Sequence, residues 1–183
     1  MIISFMGSPG SGKSTIAKII ARKLGWPRYN IGDIRRQKAK SKGMTLAEYN
    51  KLGETDPSTD IEVDEYQKKL GLTKDNFVIE GRTSWYFIPQ SIKIYLDVDE
   101  KIGAQRIFSD LKKGADRNED NNLKTVADVL GSNRQRMASD ILRYRKYFNI
   151  NPFDKKHYDL VIDTTDKLTD EIVTIILKFI GNT

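Results

Sequence analysis

The chain has 183 residues, a length that suits one domain with a sizeable core, and its 31 basic and 25 acidic residues give a formal net charge of +6. The absence of cysteine excludes a disulfide framework and a thiolate zinc site, and no apolar run approaches the ~20 residues of a membrane-spanning helix. The basic residues are dispersed among acidic ones rather than gathered in one block. We therefore expect a monomeric, cytoplasmic protein that binds no membrane and whose main partner is not nucleic acid.

The first predicted element is a buried strand at residues 2–6, and residues 7–14 directly after it read Gly-Ser-Pro-Gly-Ser-Gly-Lys-Ser. This segment fits the phosphate-binding loop pattern G-x-x-x-x-G-K-[ST], and helical spacing of apolar residues follows at 14–24. In such a loop the glycines let backbone N–H groups reach phosphate oxygens, Lys13 acts on the β- and γ-phosphates, and the Ser14 hydroxyl completes a Mg²⁺ shell. The expected ATP-binding residues are Gly7, Ser8, Pro9, Gly10, Ser11, Gly12, Lys13, Ser14 and Thr15.

The rest of the chain alternates between strand and helix patterns. Further strands are predicted at residues 28–31, 77–79, 92–98 and 159–163, and helices at 32–42, 45–52, 60–70, 100–112, 130–148 and near 169–181. This alternation predicts an α/β fold with a five-stranded parallel sheet flanked by helices, in a single domain of residues 1–183. Residues 32–72 contain helices but no strand and suggest a helical insertion, whereas the polar segment 113–122 suggests the tip of a short lid.

Charged residues on separate elements favour phosphoryl transfer, which requires several cations around the moving group. Glu80 and Arg82 follow a strand at the edge where parallel sheets bind ligands, so we expect Glu80 to hold Mg²⁺ through water and Arg82 to grip a phosphate. Arg136, Asp140 and Arg143 fall at i, i+4 and i+7 and share one helix face. An exposed stripe of ion pairs is the alternative interpretation of that face.

The order of these motifs resembles the nucleoside monophosphate kinases, and among them the short, archaeal type of cytidylate kinase. The resemblance rests on the phosphate-binding loop, on the segments 32–36, 44–60 and 80–82, on Arg106, and on the segment 136–144. It implies a P-loop NTPase fold in which residues 32–72 bind the acceptor nucleotide. The acceptor-binding residues it implies are Gly32, Asp33, Arg36, Gly81, Arg82, Thr83, Ser84 and Asp140.

The same resemblance assigns roles to individual side chains. Arg36 and Arg82 would hold the acceptor phosphate, Arg106 would meet the donor phosphates, and Arg136 and Arg143 would reach across the reaction centre. Asp140 would bind ribose hydroxyls or orient an arginine. The expected catalytic residues are Lys13, Arg82, Arg136 and Arg143.

The expected reaction transfers a phosphoryl group from ATP, with Mg²⁺, to CMP or dCMP, as part of pyrimidine nucleotide metabolism. Ile31 stands where a serine is common in the family, and residues 83–86, Thr-Ser-Trp-Tyr, are bulkier and more polar than its pattern, so the identity of the base stays open. The alternatives are an adenylate or uridylate kinase, a kinase of a non-nucleotide alcohol, and a nucleic-acid-associated ATPase. We place Asp33, Thr83 and Ser84 nearest the base.

Overall fold

A computed structural model describes residues 1–113 and 123–181. The predicted lid tip at residues 113–122 lies outside the described residues except for Lys113, which follows the end of a helix. None of the helices in the two described ranges combines the length and the apolar character that crossing a bilayer requires.

Five strands form one sheet, and every pair of neighbouring strands is parallel. They are β1 (Ile2–Gly7), β2 (Arg28–Asn30), β3 (Phe77–Glu80), β4 (Ile92–Asp97) and β5 (Leu160–Asp163), in the order β2-β3-β1-β4-β5. Strand β1 is buried along its whole length because helices cover both faces of the sheet. The predicted five-stranded parallel sheet flanked by helices is confirmed.

Eight α-helices are described around this sheet. They are α1 (Lys13–Leu24), α2 (Ile31–Ser41), α3 (Leu46–Gly53), α4 (Ser58–Thr73), α5 (Ser84–Phe87), α6 (Glu100–Lys112), α7 (Val126–Phe148) and α8 (Thr169–Gly181). The one-turn helix α5 was not predicted, because four residues are too few to show a helical period. Helix α7 begins four residues before the predicted start, where Thr125 and Asp128 form a reciprocal capping pair.

Alternate residues of the strands build two separate layers of the core. Ile3 and Phe5 of β1 pack with α1 and α8, whereas Phe77 and Ile79 of β3 pack on the other face with α2 and α4. The carboxyl ends of all five strands lie at one edge of the sheet, which is the edge where open parallel sheets bind ligands. The loop after β1 and the residues that follow β3 therefore come together there.

Helix α6 presses against the loop after β1 through two glycines. Gly10 has a φ of +80°, and a Cβ at that position would lie 2.2 Å from the carbonyl oxygen of Gly103. A Cβ on Gly103 would in turn lie 2.4 Å from the carbonyl oxygen of Pro9. Because both contacts are made with backbone atoms, neither can be relieved by rotating a side chain.

We expect Gly103→Ala to lower the free energy of unfolding by about 1–3 kcal/mol, since overpacking against backbone outweighs the gain in helix propensity. The matched control is Gly131→Ala in α7, where an added Cβ meets nothing within 4 Å. That variant should be stabilised by up to about 1 kcal/mol. Urea unfolding of both proteins checks the prediction, and equal stability of the two variants would contradict the close packing of α6 on the loop.

Candidate active site

The loop between β1 and α1 takes its shape from strand β4. The amide of Ser8 donates to the Leu96 carbonyl at 3.0 Å, and the Ser8 hydroxyl donates to Asp97 Oδ1 at 2.6 Å. The amide of Ser11 donates back to the Ser8 carbonyl at 3.2 Å. Since these groups are bound within the protein, the loop keeps its shape before any ligand binds, and α1 starts directly after it.

Glu80 contacts one hydroxyl group and two cationic side chains beside this loop. The Ser14 hydroxyl donates to Glu80 Oε2 at 2.7 Å, Arg28 Nε donates to Oε1 at 2.5 Å, and Lys13 Nζ lies 3.5 Å from Oε2. Burial lowers the pKa of Lys13 to about 8; the Glu80 carboxylate opposes that shift, and the Arg82 guanidinium adds to it. Lys13 is therefore charged at pH 7, but it loses its proton at a lower pH than a solvated lysine does.

Ser14 and Glu80 together offer hard oxygen ligands of the kind that Mg²⁺ takes. Within residues 1–113 and 123–181, no cluster of three or more His, Cys, Asp or Glu side chains is placed to hold a metal ion. The pair fits an ion that is bound mainly by phosphate oxygens and waters, with few protein ligands.

A chain of ion pairs with buried carboxylates links the residues after β3 to helix α2. Arg82 Nε donates to Asp140 Oδ2 at 2.8 Å, and Arg143 donates to Asp140 Oδ1 and to both oxygens of Asp60, each at 2.6 Å. Arg35 Nη1 lies 2.5 Å from Asp60 Oδ1 at the far end. Burial would raise the pKa of Asp140, but the Arg82 and Arg143 guanidiniums outweigh it and hold that pKa below its usual value.

Two cavities meet at the carboxyl edge of the sheet. The first, of about 510 Å³, follows the phosphate-binding loop and α6, and its volume lies in the range of small-molecule sites. The second lies between the loop, the residues after β3 and helices α2–α4. The two share a wall that carries four cationic side chains and is formed by Lys13, Ser14, Asn30, Arg36, Arg82 and Arg136.

Most of the predicted site residues line these cavities. All nine loop residues from 7 to 15 and Arg106 line the first cavity, and Gly32, Arg36, Gly81, Arg82, Thr83 and Asp140 line the second. Arg106 donates to the carbonyls of Thr164 and Thr165 at 2.9 Å each, so it also ties the loop after β5 to the first cavity.

Three predicted residues do not lie where the sequence analysis placed them. Arg143 has a fully buried side chain, lines neither cavity and is neutralised by Asp60 and Asp140. Ser84 lines neither cavity and donates to Gln67 Oε1 at 2.6 Å, because α5 turns its hydroxyl inward. Asp33 pairs with Arg36 at 2.9 Å on the first cavity, away from the second.

The exposed ion-pair stripe is also wrong for the face of Arg136, Asp140 and Arg143. Asp140 and Arg143 are buried, and Arg136 lies on the wall that the two cavities share. Helix periodicity places the three side chains on one face but cannot tell whether that face meets water or another helix.

A second polar face lies on α4, and no role was predicted for it. Asp60, Asp64 and Gln67 are all buried there and stand at i, i+4 and i+7. That spacing was visible in the sequence and was the available signal, since polar residues recurring at helical period on an inward face indicate a site or a buried network.

The comparisons with known proteins agree with this geometry. Residues 2–166 match the model of the cytidylate kinase-like family. A cytidylate kinase from Methanocella arvoryzae is 36% identical over 98% of this chain and 97% of its own length. The chain belongs to the cytidylate kinase-like family. A cytidylate kinase from Archaeoglobus fulgidus is 34% identical over 97% of this chain and 93% of its own.

Solved structures with low identity share the fold. An uncharacterised protein from Eubacterium ventriosum has a TM-score of 0.71 at 18% identity and covers 100% of this chain and 99% of its own. Shikimate kinase from Bacteroides thetaiotaomicron has a TM-score of 0.65 at 13% identity and covers 99% of this chain and 98% of its own. These likenesses confirm the predicted fold, a five-stranded parallel sheet flanked by helices.

Arg136 and Arg143 of α7 should respond differently to replacement by lysine. Arg143→Lys keeps the charge but loses the fork that binds two carboxylates, so we expect the free energy of unfolding to fall by about 2 kcal/mol or more. Arg136→Lys should change stability by less than about 0.5 kcal/mol but lower kcat ~10-fold or more. Denaturant unfolding and steady-state kinetics separate the two effects. A normally stable Arg143→Lys protein with a reduced kcat would instead place Arg143 in the reaction.

The lowered pKa of Lys13 predicts that nucleotide binding weakens in alkali. Lys13 is charged at pH 7 and mostly neutral at pH 9 in the free protein, and binding a polyphosphate at pH 9 must first restore its proton. The Kd for ATP should therefore be about 10-fold higher at pH 9 than at pH 7. Calorimetric titration at both values checks this, with Lys13→Arg as the control whose charge does not titrate. The same rise in the control would assign the effect to another group.

Proposed function

We propose that the protein transfers the γ-phosphoryl group of ATP to a pyrimidine nucleoside monophosphate, preferably CMP or dCMP, and releases ADP and the nucleoside diphosphate. The observation that carries the proposal is the cationic wall shared by the two cavities. A donor in the first cavity and an acceptor in the second would direct their phosphates toward the same four side chains, Lys13, Arg36, Arg82 and Arg136. Screening the repulsion between two polyanions is the main task of a phosphoryl-transfer site.

On the donor side, the loop amides and Lys13 would hold the β- and γ-phosphates, and Arg106 would line the nucleotide. Ser14 and Glu80 would hold Mg²⁺, Glu80 through water, and a bound Mg²⁺ would neutralise charge on the transferring phosphates. Glu80 is suited to this role because it already orients Ser14 and Lys13 from one buried carboxylate.

On the acceptor side, helices α2–α4 of the segment 32–72 would enclose the monophosphate. Arg82 would meet its phosphate in a fixed orientation, since Nε is held by Asp140 and Nη1 donates to the Gly7 carbonyl at 3.0 Å. Arg36 would approach from α2 and Arg136 from α7. Donors that are aligned before the substrate binds do not lose free energy to reorganisation during the reaction.

The choice of CMP rests on the relatives, since several archaeal proteins named cytidylate kinase are 30–36% identical over nearly the whole chain. The shikimate kinases share only the fold and do not favour a non-nucleotide acceptor. We further propose that the protein is a monomeric cytoplasmic enzyme of pyrimidine nucleotide metabolism that acts on free nucleotides rather than on nucleic acid.

A coupled ADP-release assay over a panel of monophosphates tests the proposal. We expect kcat/KM for CMP or dCMP to exceed the values for AMP and UMP by at least ~10-fold, or about 1.4 kcal/mol of transition-state binding. Lys13→Ala is the control; it should stay folded by circular dichroism and lose on the order of 10²–10³ in kcat. Equal or better use of AMP would overturn the specificity, and turnover unchanged by Lys13→Ala would overturn the phosphoryl-transfer mechanism.

A further inference from the structure

The acceptor cavity, the second cavity described above, is lined in part by polar side chains of α4 and of the residues after β3. Asp64 of α4 lines this cavity together with Thr83, and only 4% of its surface is exposed. Gln67, one turn further along α4, is fully buried behind them. Buried polar side chains at a cavity wall can form all their hydrogen bonds with one another, which indicates a structural role. An atom that is left without a partner indicates instead that a ligand binds there.

The hydrogen bonds within this cluster define which side chain donates and which accepts. The Ser84 hydroxyl donates to Gln67 Oε1 at 2.6 Å, which turns the Gln67 amino group toward Asp64 Oδ1 at 3.2 Å and Thr83 Oγ1 at 3.1 Å. The Thr83 hydroxyl donates to the same Asp64 Oδ1 at 3.2 Å. Asp64 Oδ2 is buried and has no hydrogen-bond partner among the described residues.

The charged groups around Asp64 have opposite effects on its pKa. Asp60 faces it from its own helix, Arg35 from α2 and Arg143 from α7. Burial raises the pKa of Asp64 to about 7 and Asp60 adds to the rise, whereas the hydrogen bond from Thr83 and the two arginines oppose it. Near neutrality the free protein therefore contains both the protonated and the ionised carboxyl.

An ionised Oδ2 accepts hydrogen bonds and cannot donate them, so it attracts an amino group and repels a carbonyl oxygen. Cytosine and uracil differ in this respect, because cytosine carries an exocyclic amine where uracil carries a carbonyl. A buried acceptor left unpaired by the wrong base costs free energy, and sites built on such groups discriminate strongly.

We propose that Asp64 selects the acceptor base, with Oδ2 accepting a hydrogen bond from the exocyclic amine of an aminopyrimidine while Gln67 and Thr83 position the carboxylate through Oδ1. This inference rests on the proposed function, since it assigns the base recognition of the same acceptor cavity. It replaces Asp33 and Ser84 as the residues nearest the base and retains Thr83 as a positioning residue.

The proposal makes base preference depend on pH. The ionised carboxylate favours CMP, whereas the protonated Oδ2 donates a hydrogen bond that the uracil carbonyl accepts. The ratio of kcat/KM for CMP to that for UMP should therefore rise at least ~3-fold from pH 6 to pH 8. Titrations of the phosphate common to both substrates cancel in this ratio. A flat or falling ratio would overturn the proposal without any variant being made.

Asp64→Asn is the matching substitution. Because Gln67 and Thr83 both donate toward Oδ1, the asparagine oxygen takes that position and its amino group takes the position of Oδ2. We expect the CMP to UMP ratio to fall at least ~10-fold, through a higher KM and Kd for CMP, and to lose its pH dependence. Glu65→Gln, an exposed neighbour on the same helix, is the control and should leave the ratio unchanged.

A structural role of Asp64 and a role in base recognition predict opposite changes in stability when Asp64 is replaced by Asn. The unfolded chain ionises Asp64 from about pH 4 upward, while the folded protein keeps that proton to about pH 7, so Asp64 destabilises the native state increasingly over this range. Asp64→Asn should therefore raise Tm at pH 8. A lower Tm with an unchanged CMP to UMP ratio would make Asp64 a structural residue and overturn the inference.

The two proposals fail in different ways. If the wild-type protein phosphorylates no monophosphate and binds none by calorimetry, the proposed function is wrong. If it uses CMP and UMP but Asp64→Asn leaves their ratio unchanged, the function stands and the assignment of Asp64 is wrong.

Discussion

The arrangement of the site depends on the guanidinium of Arg143, which lines neither cavity. Arg143 is fully buried, and its two carboxylate partners bind a second arginine each, so the order Arg82, Asp140, Arg143, Asp60, Arg35 alternates in charge from the loop after β3 to helix α2. Taking any one of these groups out of water costs several kcal/mol, and only the complete set offsets that cost. The acceptor-side helices α2 and α4 are thereby tied to α7 and to the phosphate-binding loop.

The arginines differ in whether they line the two cavities. Arg143 lines neither cavity, Arg35 lines the acceptor cavity while its Nη1 binds Asp60, and Arg82 has one end in the chain of ion pairs and lines both cavities. Arg136 lies on the same shared wall from the next turns of α7. A network that is rigid on its inner side can therefore present oriented donors on its outer side, which is what electrostatic stabilisation of a transferring group requires.

Burial at the edge of the sheet shifts two side chains of opposite sign toward neutrality. The pKa of Lys13 falls to about 8 and that of Asp64 rises to about 7, in both cases mainly because the charged form loses its solvation. A phosphate restores the charge of Lys13, and a hydrogen-bond donor stabilises the ionised form of Asp64. In the proposed function these are groups of two different ligands, the phosphates of ATP at Lys13 and the acceptor base at Asp64.

The sequence alone determined the phosphate-binding loop, the five parallel strands and the positions of Glu80, Arg82 and Arg136 along the chain. These features follow from local patterns, namely glycine spacing, apolar runs and the fixed edge at which parallel strands end. Only the tertiary structure decided that Arg143 is buried, that Ser84 turns away from the cavity and that Asp64 lies at its wall. Helical period tells which side chains share a face, but whether that face meets solvent, a ligand or an opposite charge depends on elements distant in sequence, here α4 against α7 and α5.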